Sequence, residues 1–291
     1  MTGAAHGLAG RRIVVTGASR GIGAAIARRL AALGAGVVLV ARDQIALDEV
    51  RASLPGGPHR AVAIDVTDEQ GWIATARQLE EEGSVHGLVA AAGVLGPIGP
   101  PGSWTISAFQ RTIEVNLVGV VLPVIAFLEP LRAVHGAIVA VAGGGAASPL
   151  PRFDAYAASK AALVRLAENL AIELAPDGVR VNCVAPGFVA TGMHGVTLEA
   201  GPELAGPDYY EKTRATVKAG GDPPELAAEL TSFLLSEEAG GITGKLISAK
   251  WDPWKEPLFR ERLRREPDLA CLRRIDDHFF SAVPRPAGCH P

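Results

Sequence analysis

The chain has 291 residues, 48% of them hydrophobic and 20% charged, with a formal net charge of −3. That is enough apolar material for one sizeable globular core, and it leaves no basic excess to recruit nucleic acid or an anionic membrane. The three cysteines, Cys183, Cys271 and Cys289, are far apart and lack CxxC or Cys/His spacing, so neither a disulfide framework nor a metal site is expected.

The first element in chain order is residues 12–16, Arg-Ile-Val-Val-Thr, β-branched and apolar on both faces as a buried parallel strand requires. Glycines follow, then a helical stretch over 24–33 that Gly34 stops. Further strands are predicted at 37–40, 61–64, 87–90, 137–141, 179–184 and 246–248. Helices are predicted at 69–82, 109–128, 156–174 and 225–235. This alternation implies right-handed βαβ units, hence a doubly wound parallel sheet in three α/β/α layers, with ligands at the carboxyl ends of the strands. Residues 192–221 are polar, glycine-rich and poorly periodic, which reads as a long functional connection such as a lid. The N-terminus lacks the apolar stretch of a secretory signal. The longest apolar stretch, 117–128, is short for a bilayer span and contains Pro123, so a cytoplasmic protein without a membrane partner is expected.

Between the first strand and first helix stands Thr16-Gly17-Ala18-Ser19-Arg20-Gly21-Ile22-Gly23. Gly17 permits a tight turn, Gly21 a close backbone approach to a pyrophosphate, and Gly23 close packing of helix on strand. The helix N-terminus then offers free N–H groups and partial positive charge to phosphates. The second strand ends on Ala41 and Arg42, not on the acid that accepts from a ribose 2′-hydroxyl. Arg20 and Arg42 could clamp a 2′-phosphate by charge-assisted bonds, so NADP(H) is expected over NAD(H). Alternatively both arginines are solvated. Asp43 is the counter-signal, because a one-residue shift would turn it toward the ribose.

Tyr156 and Lys160 stand four apart on a predicted helix, on one face and one turn apart. An ammonium beside a phenol favours the phenolate, so a lowered Tyr156 pKa and proton transfer near neutral pH are expected.

In these motifs the chain resembles the short-chain dehydrogenase/reductase family. The turn at 16–23, Asp65 after the third strand, Val115-Asn116-Leu117, the YxxxK pair and Pro186-Gly187 with Thr191 occur in the family's order and spacing, over about residues 8–248. The resemblance implies one Rossmann domain over 1–248, a partly helical extension over 249–291, and a homodimer or homotetramer. It implies hydride transfer between NADP(H) and a small molecule's carbonyl or hydroxyl carbon. Tyr156 would be the general acid/base, with Lys160 holding the nicotinamide ribose and Asn116 anchoring a water in a proton relay. Gly17, Ser19, Arg20, Gly21, Ile22, Gly23 and Arg42 would bind cofactor phosphates. Asp65 and Val66 would meet the adenine, Ala92 and Gly93 the adenosine ribose, and Pro186, Gly187 and Thr191 the carboxamide end.

Three departures stand out. The family's catalytic serine falls on Gly143, within Ala142-Gly143-Gly144-Gly145. Either backbone N–H groups of residues 143–145 polarise the substrate oxygen in its place, or the chemistry differs, as in a lyase, epimerase or cyclase that keeps its cofactor. The family's Asn-Asn-Ala-Gly is Ala90-Ala91-Ala92-Gly93, which costs ties across the sheet. The chain also runs on past the last strand with Lys250-Trp251-Asp252-Pro253-Trp254 and a basic helical stretch at 258–265. That tail reads as a helix packed on the surface, or as a cover for the substrate cleft or a neighbouring subunit, anchored by Trp251 or Trp254. Phe188, Met193, Tyr209 and Tyr210 suggest a partly apolar cleft.

Overall fold

The computed structural model describes residues 7–274. Seven strands pair in parallel: β1 Arg12–Thr16, β2 Gly36–Ala41, β3 Arg60–Ala63, β4 Gly87–Ala90, β5 Ala137–Val141, β6 Arg180–Ala185 and β7 Leu246–Ser248. Their order is β3-β2-β1-β4-β5-β6-β7. The order reverses between β1 and β4, which opens a crevice at their carboxyl ends. Residue parity sorts the two faces. Ile13, Val15, Val37, Leu39 and Val139 bury one way; Val14, Val38, Val40, Ile138 and Ala140 bury the other. Each of these Val, Ile and Leu side chains contributes about 1.5–3 kcal/mol on burial.

Helices α1 (Gly21–Ala32), α2 (Gln44–Ala52) and α10 (Pro224–Leu235) supply Leu30, Leu47 and Phe233 to the first layer. Helices α3 (Glu69–Glu81), α5 (Gly119–Ala126) and α7 (Asp154–Glu173) supply Trp72, Val124 and Leu163 to the second. Helix α2 was not expected from the sequence. Its start is Asp43, whose carboxylate accepts from the Ala46 N–H at 3.1 Å, an N-cap of the preferred type.

The expected helix over 109–128 is instead α4 (Ile106–Ile113), a π-helical turn (Glu114–Val118), α5, and then α6 (Leu128–Ala133). The π turn adds a residue without breaking the helix. The run Ile106–Ala126 is therefore 21 residues, long and apolar enough by length and composition to cross a membrane; its α4 and π-turn parts pack against α7, and α5 packs against α3. Residues 192–221 also differ from expectation, forming α8 (Gly192–Ala205) and α9 (Pro207–Lys218). Gly201 (φ 77°, ψ 170°), just before Pro202, interrupts α8, and Gly206 (φ 85°) separates it from α9. These breakers hide the helical period.

The described part of the tail packs on the body of the protein. Trp254 and Leu263, the latter on α11 (Pro257–Arg265), are buried in the first layer. The Trp254 ring lies 5.7 Å from that of Phe233. Buried Lys245 donates to the carbonyls of Glu266, Pro267 and Leu269 at 2.7–2.9 Å. Along β7, the Leu246 N–H donates to Ala270 O and the Ser248 N–H to Asp252 Oδ2, each at 2.7 Å. The outer edge of the sheet is thereby closed, as an unpaired edge would invite foreign strands. Of the two readings of the tail, the described residues fit the helix packed on the body; Trp251 stays 77% exposed. Ile275, Asp276, Phe279 and Phe280 lie outside the described residues.

Candidate active site

The turn after β1 is a cradle of backbone. Gly17 has φ +65°, and a Cβ there would stand 2.8 Å from Ala92 Cα. A Cβ on Gly23 would overlap Gly17 O, which confirms the close helix–strand packing. At Gly21 (φ +58°) a Cβ would stand 3.2 Å from the Thr191 methyl, so its absence makes room for that group. Arg20, the N-cap residue of α1, is extended and gives no side-chain cap, and the first turn holds no acid. The turn fits a pyrophosphate on this observation: its N–H groups are uncapped and glycine leaves the approach open. The Thr16 hydroxyl accepts from the Ala91 and Ala92 N–H groups at 3.1 Å each, a side-chain tie between the end of β1 and the loop after β4.

The loops after β2 and β3 are richer in arginine than the sequence suggested. Ala18 N–H donates to Val40 O at 3.2 Å, so Arg20 and Arg42 stand on adjoining loops. Arg42 is 71% exposed, with Asp65 Oδ2 4.0 Å away. Asp65 accepts from the Thr67 N–H (3.0 Å) and hydroxyl (2.8 Å) and from Arg111 (2.8 Å). Burial pushes the Asp65 carboxyl up, but Thr67 and Arg111 outweigh it and hold it below the usual range. Arg111, on α4, carried no sequence signal; only the folded sheet brings it to Asp65. Val66 is buried, and its carbonyl accepts from Trp72 Nε1 at 3.0 Å. Asp43 caps α2 through one carboxylate oxygen, Oδ1.

Tyr156 and Lys160 lie buried near the amino end of α7. Lys160 Nζ donates to Val141 O, the last residue of β5, at 2.8 Å, and stands 5.9 Å from the Tyr156 ring centre. A Cβ on Gly93 would be 3.3 Å from Asn116 Oδ1 and 3.6 Å from Lys160 Nζ, so Gly93, Asn116 and Lys160 converge. Asn116, in the π turn, accepts from the Val94 N–H (2.8 Å) and donates to Val94 O and Ser159 Oγ (both 2.9 Å). Ser159 in turn donates to Tyr156 O at 2.7 Å, a back-bond within the helix. The Asn116 amide thus braces the loop after β4 against α7. Thr191 occupies the N-cap position of α8 without capping it through its hydroxyl.

The expected lowering of the Tyr156 pKa is not found. Burial, and secondarily Tyr209, push the phenol up to about 12. Burial pushes Lys160 down to about 8. The reason is geometric: the ammonium is turned to a backbone carbonyl, and the phenol is enclosed by apolar groups. Phe153, Met193, Tyr209 and Tyr210 pack around Tyr156, whereas Phe188 stacks on His194 at 3.8 Å. A Cβ on Gly143 would overlap the Tyr156 hydroxyl. Among the described residues, Ala142 N–H donates to Val184 O and Ala146 N–H to Gly143 O, while the N–H groups of Gly143, Gly144 and Gly145 make no such bond.

A parallel sheet with a glycine cradle on one side of its switch point and a buried Tyr–Lys pair on the other is the architecture of a Rossmann-type enzyme. The family model described as short chain dehydrogenase matches residues 11–200. Cis-4-hydroxycyclohexanecarboxylate dehydrogenase of Sinomonas cyclohexanicum is 38% identical over 245 residues, 82% of this chain and 94% of that protein. Among solved structures, L-sorbose reductase from Gluconobacter frateurii, complexed with NADPH and L-sorbose, is 30% identical (TM-score 0.75; 84% of this chain, 97% of that one). NAD+-bound xylitol dehydrogenase is 26% identical (TM-score 0.76; 83% and 98%). The chain belongs to the short-chain dehydrogenase/reductase family. It is an oxidoreductase that acts by hydride transfer on small-molecule alcohol or ketone substrates. The lyase, epimerase or cyclase alternative gains no support from these comparisons.

Proposed function

We propose that this chain transfers hydride between NADP(H) and a carbonyl or secondary-alcohol carbon, with Tyr156 as general acid/base. The observation that carries the reading is the convergence of Gly93, Asn116 and Lys160 beside a buried Tyr156. The nicotinamide, when bound, supplies or accepts the hydride. The chain's own residues do the rest. In reduction, the protonated Tyr156 hydroxyl gives its proton to the substrate oxygen. The unengaged N–H groups of residues 143–145 are donors available to polarise that oxygen without a serine. Lys160 and Thr191 would hold the cofactor's nicotinamide half. The glycine cradle and Asp65 would hold the other half, with Arg20 and Arg42 on the 2′-phosphate. The comparison structures include both NAD+ and NADPH complexes, so the NADP(H) assignment rests on the two arginines. The side chains around Tyr156 favour a substrate that is largely apolar near its reacting carbon. We also propose a homo-oligomer joined through the exposed face of α4 and α5.

The test follows reduced-nicotinamide absorbance during turnover of a carbonyl panel. Tyr156→Phe is expected to lose about 10²–10⁴-fold in rate while still binding NADPH. NADPH should bind about tenfold tighter than NADH or better, a gap of about 1.4 kcal/mol, and Arg42→Asp should narrow it. Full activity in Tyr156→Phe would remove the acid/base assignment, and equal affinities would remove the NADP(H) one.

A further inference from the structure

The loop from β6 to α8 brings Pro186, Gly187 and Thr191 to the cofactor side of the sheet, and it is fastened from outside. Asp222, just before α10, accepts from the Phe188 N–H through Oδ2 at 2.7 Å, and its own N–H donates to Phe188 O at 2.7 Å. Val189 bridges to Gly221 in a short antiparallel contact. A Cβ on Gly187 (φ +84°) would stand 2.7 Å from Asp222 Oδ2, so glycine is required there by both backbone and space. The other carboxylate oxygen, Oδ1, meets Lys250 Nζ at 2.7 Å.

Lys250 lies beyond β7, where the family pattern has ended. It is aimed by a tight turn in which Ser248 N–H donates to Asp252 and Trp251 N–H donates to Ser248 Oγ. Its ammonium also sits 4.5 Å over the Trp251 ring. The Asp222 side chain is only 14% exposed and that of Lys250 35%, so water screens this pair less than a surface one. At its far end the same loop sets the Thr191 methyl against Gly21 of the phosphate turn.

We propose that Asp222 and Lys250 are a positioning pair that holds the β6–α8 loop, and Thr191 with it, in the shape that receives the nicotinamide cofactor. This rests on the hydride-transfer reading above. Through Lys250, the start of the C-terminal extension becomes part of the cofactor site although it touches no cofactor.

Direct titration of the full chain with NADPH, followed by steady-state kinetics, tests this. Lys250→Met should weaken NADPH binding by about three- to tenfold and raise the cofactor KM alike, with kcat at saturating cofactor close to wild type. Asp222→Asn should do the same, and the double variant should be no worse than either single one, since both remove one interaction. Lys250→Arg should keep binding near wild type, and because Met preserves most of the lysine's bulk, a loss confined to Lys250→Met marks the charge and not the packing. Unchanged NADPH affinity in both single variants, or additive losses in the double, would overturn the pair and leave the hydride-transfer reading intact. A wild-type chain that binds neither NADPH nor NADH would overturn both.

Discussion

At position 143 a side chain and a phenol compete for one volume. The backbone of Gly143 is outside the left-handed region, so conformation does not demand glycine there; the Tyr156 hydroxyl does, because a Cβ would overlap it. The phenol cannot retreat freely, since Phe153 and Tyr209, rings 4.8 Å apart, pack in the same cluster. Glycine is thus a fitted part of this site, and putting back the family's serine would displace the group it is meant to assist. Gly143→Ser and Gly143→Ala are expected to lose about tenfold or more in rate and about 1–3 kcal/mol in stability from overpacking, with NADPH affinity retained. Carbonyl-reduction kinetics on purified variants check this, and a gain of activity in Gly143→Ser would sink it. The Tyr156–Lys160 pair was legible from its spacing together with the glycine turn and the other motifs in family order, since two such residues four apart would by themselves read as a surface pair. The direction of its pKa shifts was not, because that depends on where the ammonium points, and Val141 O takes it.

At the scale of elements, legibility follows the strength of the local pattern. Strands such as β1, β2, β4 and β5 could be read because they are apolar toward both layers, and the weaker edge strands because they fall between turn residues at the same spacing. Helices α8 and α9 could not, because Gly201, Pro202 and Gly206 interrupt the period where tertiary packing of Thr197, Ala205 and Thr213 sustains them. The π turn was invisible for a different reason: an extra residue in a helix leaves the apolar run intact. The tail was legible as a helix but not by location, since Trp251 and Trp254 look alike in sequence. In the fold they separate sharply. Trp254 is buried at 4% exposure and donates its Nε1–H to Ala249 O at 3.3 Å. Trp254→Ala should therefore cost about 3–5 kcal/mol, and Trp251→Ala no more than about 0.5 kcal/mol. Urea unfolding of both variants distinguishes them. Equal losses would mean that the extension is not part of the cooperative core.

At the scale of the whole molecule, two surfaces matter for assembly, and the chain treats them in opposite ways. The β7 edge is closed by the extension, which satisfies the outer N–H groups of Leu246 and Ser248. Along the run from α4 to α5 three apolar side chains stay exposed, Ile106 on α4 at 67%, Val118 in the π turn at 40% and Ile125 on α5 at 64%, with the Arg111–Glu114 pair between the first two. Val118 and Ile125 are seven apart, two turns of helix on one face. Which face of α5 points outward was beyond the sequence, because GVVLPVIA is apolar nearly all round and only its packing against α3 and β4 assigns its inner side. A second copy presenting the same face would bury both patches through a two-fold axis, the commonest closed arrangement. A stable interface of this kind buries about 1,200–2,000 Å², and apolar surface of this sort is what a soluble monomer seldom leaves bare. The wild-type chain is accordingly expected to sediment as a dimer or larger at micromolar concentration. Ile125→Glu, which places a charge at the centre of the patch without touching the Tyr156 cluster, should shift it to smaller species and make its thermal midpoint independent of protein concentration. Sedimentation velocity on both proteins decides the matter: a wild-type monomer, or a glutamate variant that assembles as well as wild type, would rule out this face as the contact.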